Sequence, residues 1–194
     1  MLKFRRYTVL AFYHGSPIGG LNELKPFLSE HGEPYVYFSS SPIVALLYAV
    51  KPVPKPYSFY PYGFDENCVV VYSEYFENAF FRLYNEKKGY LYECMHLENA
   101  ENPTNISCAY TCREPIKISK VIEISNLYTY FKEQQSKGVF RVKPREQISE
   151  KEIQFVLDEL KKDIIKNELK KFPKHPMSVF IQEHFPNAWN ITEA

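Results

Sequence analysis

No apolar run in the chain approaches the roughly 18 residues that a membrane-spanning helix needs. An excess of charge is missing too: 24 Lys and Arg stand against 23 Asp and Glu, a net charge of +1. That balance excludes a global field drawing in nucleic acid or anionic lipid, and leaves only local patches. The 7 glycines form no Gly-rich phosphate loop. There is no His-Glu-x-x-His helix, no Ser-His-Asp set in a recognisable local context, no internal repeat and no low-complexity stretch. The N-terminal Met1-Leu2-Lys3-Phe4-Arg5-Arg6 is basic, but no small-residue cleavage site follows, so it does not read as a signal peptide. With only 4 cysteines (Cys68, Cys94, Cys108 and Cys112), reduced thiols in a cytoplasmic protein are expected.

What the chain does have is aromatic surface. Tyrosine and phenylalanine number 16 and 15, and hydrophobic residues make up 45% of the 194. That is enough for a real core, and the tyrosines suit half-buried sheets and ligand grooves. Short runs rich in Val, Ile, Tyr and Phe predict strands at 5–13, 34–38, 67–73, 89–96, 106–112 and 116–124. A helical turn is expected near 21–28, and an apolar helix over about 42–50. Pro52, Pro54, Pro56 and Pro61 make 51–63 a semi-rigid loop, because proline removes ladder donors.

From Ser149 the pattern changes. Ser149 and Glu152 form a capping-box signature. Ile153, Val156, Leu157, Leu160, Ile164, Ile165 and Leu169 then recur at helical spacing, until Pro173 stops the helix. Lys161, Lys162, Lys166, Lys170 and Lys171 line the other face with acidic residues among them, the pattern of a solvated face. Phe180, Phe185 and Trp189 are expected to dock the tail on the body. The expected organisation is residues 1–148 as one domain, with 149–194 as a helix and tail packed on it.

One constellation carries chemistry. A strand runs into His14-Gly15-Ser16, a second ends in Tyr37-Phe38, and Tyr48 follows Tyr37 by eleven residues. Singly, each residue is an ordinary core or surface position. Together, a polar His, a glycine open to close approach and two spaced rings suggest a flat aromatic ligand. The pattern resembles the ADP-ribosyltransferase superfamily of His-Tyr-Glu type, the branch of diphtheria toxin and the poly(ADP-ribose) polymerases. The resemblance covers about residues 12–124, and 13–48 is its specific part.

That resemblance implies an α+β fold: a split, mixed β-sandwich of the ADP-ribosyltransferase type, here with a C-terminal amphipathic helix. It implies NAD as substrate, His14 on a ribose hydroxyl, the Gly15 backbone on the nicotinamide carboxamide with Ser16 beside it, and Tyr37 and Tyr48 around the nicotinamide ring. Cleaving the nicotinamide–ribose bond builds positive charge on the sugar, so a carboxylate is required. Glu114, ahead of the strand Ile116–Ile124, fits best, although Pro115 after it departs from the family's pattern. Glu93 is the second candidate and Glu123 the third. Ala45 stands where many relatives carry a serine.

The activity implied is transfer of ADP-ribose from NAD to a macromolecular acceptor, protein or nucleic acid, by a bacterial or phage effector or toxin that an inhibitory partner protein could silence. An RNA 2′-phosphotransferase on the same fold would need arginines around a phosphate. Arg5, Arg6, Arg82, Arg113, Arg141 and Arg145 do not fall in that pattern. The alternative of another class is a non-catalytic module binding a nucleotide or a protein. Cys94-x-His96 and Cys108-x3-Cys112 have no usual zinc spacing, so no metal is expected.

Overall fold

The structure is a computed structural model describing residues 11–28, 33–50, 61–103 and 106–191. In chain order the strands are β1 (Phe12–Ser16), β2 (Glu23–Leu24), β3 (Phe27–Leu28), β4 (Pro34–Ser39), β5 (Tyr62–Phe64), β6 (Val70–Ser73), β7 (Gly89–Cys94), β8 (Ala109–Cys112), β9 (Ile116–Lys117), β10 (Lys120–Ile124) and β11 (Phe140–Lys143). The α-helices are α1 (Pro42–Leu47), α2 (Ala79–Tyr84), α3 (Leu127–Ser136), α4 (Glu150–Lys166), α5 (Pro176–His184) and α6 (Pro186–Ile191). The chain is thus an α+β protein with six α-helices among the described residues. None of its described helices is long and apolar enough to cross a membrane.

The described chain packs as two compact units, 11–50 with 88–125 and 61–87 with 126–191. The border expected at 148/149 falls inside the second unit.

In the first unit a six-stranded sheet runs β10-β7-β1-β4-β3, with β8 also on β4. All its pairs are antiparallel. Val36, Phe38, Tyr92, Cys94 and Cys112 form the buried core on one face, and Leu24 of β2 and Ile116 of β9 close over them. Helix α1 packs on β1, β4 and β7. Ser41 caps it, accepting the Val44 N–H at 3.4 Å, and Pro42 opens it with its φ already helical. Two expectations need correction. First, 21–28 is not a helical turn: Leu24 pairs with Ile116, Phe27 pairs with Tyr35, and Pro26 sits between the two short strands. Second, β1 continues through His14, Gly15 and Ser16 instead of ending before them. Residues 5–10 and 51–60 of the sequence expectations lie outside the described residues.

The second unit builds its own sheet. β5 pairs antiparallel with β6, and β6 pairs parallel with β11. Tyr72, Phe80, Tyr84, Phe131 and Phe140 interlock beneath it at ring separations of 4.8–5.9 Å. Helix α4 starts at the expected capping box. It buries Val156, Leu160 and Ile164 with Leu169, Phe180 and Phe185 of the tail, with Trp189, Tyr75 and Phe76 packed at the edge. The helix ends at Lys166, earlier than Pro173 would require, because Glu168 takes a left-handed φ of 50°. Ile165, inside α4, is exposed.

Candidate functional site

His14 lies mid-strand in β1, opposite Tyr92 of β7, with its ring between those of Phe38 and Tyr92. Its Nδ1 donates to the Tyr37 carbonyl at 2.8 Å. A carbonyl can only accept, so Nδ1 carries the proton and Nε2 of the neutral ring is an acceptor. Burial lowers the His14 pKa, and the bond to Tyr37 only partly opposes it. The imidazole is therefore neutral near pH 7.

The bond sits at a break in the sheet. β1 pairs with β7 along all five of its residues, but with β4 only through Tyr13 and Ser39. Where β1 and β4 part, the His14 side chain bridges to the β4 backbone.

Gly15 is explained by packing. A Cβ there would overlap the Ala45 carbonyl of α1, so only glycine lets strand and helix backbones meet. The same carbonyl accepts the Tyr48 N–H at 3.1 Å. Tyr48, closing α1, is 40% exposed. Tyr37 is half-buried and its ring lies 6.2 Å from Phe27 and 6.0 Å from Tyr35. The fold thus carries His14 and Gly15 on β1, Tyr37 on β4 and Tyr48 at the end of α1, three elements packed together. Ser16 is buried and its hydroxyl accepts the Ile18 N–H at 3.1 Å, which fixes it within its own turn. The Ser39 hydroxyl accepts the Ser41 N–H, and Ser41 caps α1, so neither readily stands in for the serine that Ala45 replaces.

The acids are placed differently. Glu114 lies in an exposed bend between β8 and β9, past the last β8 residue paired with β4. Glu93 is half-buried in β7, opposite Tyr13 on one side and Lys120 on the other. Glu123 pairs with Lys88 at 2.8 Å on the surface.

A further acid escaped the sequence reading. Thr111 of β8 stands opposite Tyr37 on one side and, through an isolated bridge, opposite Glu101 on the other. Directly opposed residues project to the same face, so Tyr37, Thr111 and Glu101 form one row. Arg113, two residues on, faces the same way. Its Nε lies 3.4 Å from the Glu101 carboxylate, its Nη1 3.3 Å from Glu33, and its Nη2 donates to the Tyr35 hydroxyl at 2.9 Å. Glu101 sits in a polar run without periodicity, and only the bridge to Thr111 reveals its position.

Elsewhere the polar groups are spent on structure. In the second unit a cleft of about 540 Å3 is lined by Asp65, Arg141, Lys143 and Glu152 among others. It does not include His14, Gly15, Tyr37 or Tyr48. Its charges are paired: Arg141 with Asp65 at 3.4 Å, Lys143 with Glu152 at 2.8 Å. Arg82 faces Glu183 at 3.5 Å. Cys94 and Cys112 belong to the first unit's core, and burial with the nearby Glu93 pushes the Cys94 thiol up to about 11. All four cysteines are free thiols, and no group of three or more His, Cys, Asp or Glu converges on a metal position among the described residues.

The class these features define is an α+β protein whose main sheet is antiparallel, with β1 and β4 joined by one residue pair and the His14 hydrogen bond. No protein-family model, curated protein or solved structure matches the chain.

Proposed function

We propose that the first unit binds NAD and transfers its ADP-ribose to a macromolecular acceptor, on a split β-sandwich of the ADP-ribosyltransferase type with the C-terminal helices packed against their own sheet. The observation that carries the reading is His14. Its Nδ1 is committed to the Tyr37 carbonyl where β1 and β4 part, which leaves Nε2 as the acceptor of the ring. A ribose hydroxyl donating to Nε2 would be held in one orientation. The nicotinamide would lie between Tyr37 of β4 and Tyr48 at the end of α1. Its carboxamide would meet the edge of Gly15, whose missing Cβ is already used by α1. Ala45 offers no hydroxyl there, so the carboxamide is held by backbone alone.

Holding ring and sugar apart at fixed positions presents the bond between them for cleavage. A cytoplasmic bacterial or phage effector, with an inhibitory partner protein, is the setting we propose. The second reading, a non-catalytic nucleotide- or protein-binding module, is favoured by one observation: Glu114 lies in an exposed, proline-flanked bend.

The test is incubation with NAD, following nicotinamide release by chromatography and binding by calorimetry. His14→Ala is expected to slow release on the order of 100-fold, as loss of orientation does. Binding without release, with or without cell extract, selects the module. No binding at all overturns the NAD reading.

A further inference from the structure

We propose that a pocket at the C-terminal end of α4 takes a base of a single-stranded nucleic acid while the lysines around it meet the phosphates, an inference independent of the NAD reading above. The pocket lies wholly within the second unit. It has a volume of about 380 Å3 and is lined by Asn167, Leu169, Phe172, His175 and Met177. The left-handed Glu168 creates it: α4 stops there, a short turn Leu169–Lys171 follows, and the chain re-enters a helix at α5. Leu169 and Met177 are buried and supply apolar walls, while the Phe172 ring is 58% exposed. An exposed ring beside a pocket is a platform on which a flat partner stacks.

The two polar side chains in the lining are each half used. The Asn167 Nδ2 donates to the Asp163 carbonyl at 3.0 Å, which leaves its Oδ1 to accept. The His175 Nδ1 accepts the Met177 N–H at 3.3 Å as it caps α5, so the neutral ring carries its proton on Nε2, a donor. A nucleobase is planar and bears both donors and acceptors on its edge, which matches a stacking ring with one acceptor and one donor near it. An acyl chain has no such edge, and an acidic peptide has no such ring.

The charge around the pocket is of one sign. From 166 to 175 the chain carries Lys166, Lys170, Lys171 and Lys174 against a single acid, Glu168. Lys171 pairs with that acid at 2.6 Å, and Lys170 lies 4.4 Å from the centre of the Trp189 ring. Lys166 and Lys174 are exposed and have no acidic partner among the described residues. Earlier in α4 the lysines are neutralised, Lys161 by Asp158 and Lys162 by Glu159. The surplus is therefore confined to the turn that forms the pocket, and the positive N-terminal end of α5 adds to it. A duplex keeps its bases stacked inside, so the pocket selects single strands.

The experiment is fluorescence anisotropy of a labelled oligo(dA) strand of about ten nucleotides, titrated with the whole protein over a range of salt. Saturable binding is expected, with a log–log salt slope of about −1.4 to −2.8, the value for two to four phosphates neutralised on a single strand. Phe172→Leu keeps an apolar side chain and removes the flat ring. It should weaken binding on the order of 10-fold and leave the slope unchanged. Lys166→Gln together with Lys174→Gln should flatten the slope by about 1.4. These side chains are exposed, so the urea midpoints of both variants should match the wild type. No binding at low salt overturns the site. So does wild-type affinity in Phe172→Leu, or equal affinity for the matching duplex. AMP that competes as well as the strand makes this a mononucleotide pocket. Phosphatidylserine vesicles or a polyglutamate peptide that compete as well make it a general anionic patch. Each of these removes the single-strand assignment, whereas protein that binds no NAD leaves it intact.

Discussion

Both units pair their surface charges, Arg113 with Glu101 and Glu33 in the first, but they differ in the polar group each sets into its sheet. In the second, charge closes on itself: Glu152 caps α4 through Ser149 and pairs with Lys143, and its carboxyl is held at about 2 chiefly by that lysine. Arg141 meets Asp65. Beneath the sheet lies an all-aromatic cluster that no ligand could enter without unpacking it. In the first unit a neutral imidazole is half-buried in the sheet, with one nitrogen bonded to a backbone carbonyl and the other an acceptor. A structural histidine needs only packing. His14 also replaces a ladder contact where β1 and β4 separate, which is why we place the site in the first unit.

The largest effect expected on stability tests the second unit's half of this contrast. Phe131 is fully buried and its ring contacts Phe80, Tyr84 and Phe140. Phe131→Ala should cost about 3–5 kcal/mol in urea unfolding followed by circular dichroism. A loss below about 1 kcal/mol would mean that the cluster is loose, and the contrast with the first unit would fail.

The next effect bears on the first unit. Gly15→Ala drives a methyl group into the Ala45 carbonyl, and overpacking of this kind costs about 1–3 kcal/mol. Because α1 carries Tyr48, its displacement should also slow nicotinamide release by more than the stability loss alone explains. A folded Gly15→Ala protein with unchanged stability would show that β1 and α1 do not meet at this point.

Much of the architecture was legible in the sequence. The strands at 34–38 and 89–96 read correctly because their β-branched and aromatic residues are bounded by Pro, Gly and Asn, whereas 116–124 divides into β9 and β10 on different sheets. Ser149 and Glu152 announced α4 because a capping box is local chemistry. Helix α3 was overlooked although it is bracketed by its own signals. Asn126 accepts the Thr129 N–H at 3.1 Å at one end. At the other, Gly138 takes a φ of 73° and, with Val139, donates back into the last turn. Its weak apolar face, which buries only Leu127 and Phe131, hid it from periodicity.

The site was legible as residue types and not as geometry. His14 and Gly15 lie on β1, Tyr37 on β4 and Tyr48 at the end of α1, three elements that pack on one another. That Gly15 answers to Ala45, or that Glu101 shares a row with Tyr37, depends on pairings between residues 30 and more than 60 positions apart in sequence. No local pattern encodes those.

The smallest expected effect is a pH dependence that weighs the two units directly. Burial holds His14 in the first unit and His184 in the second below the ordinary imidazole value of 6.5. For His184, stacked on Phe76 at 4.1 Å, Glu183 pulls the other way and Arg82 adds to the lowering. As pH falls below 6.5 the unfolded chain takes up these protons first, so stability declines from that point until each folded imidazole protonates. Glu152 acts in the same direction, but only below its ordinary 4.5 and down to about 2, outside the window. Urea midpoints should therefore fall between pH 7.5 and pH 5. His14→Gln and His184→Gln should each remove part of the fall. His14 should remove more, because its Nδ1 proton is already committed and Nε2 would have to be charged inside the core. A fall that persists undiminished in the double variant would show that neither histidine is held neutral by burial, and the distinction drawn between the units on His14 would fail with it.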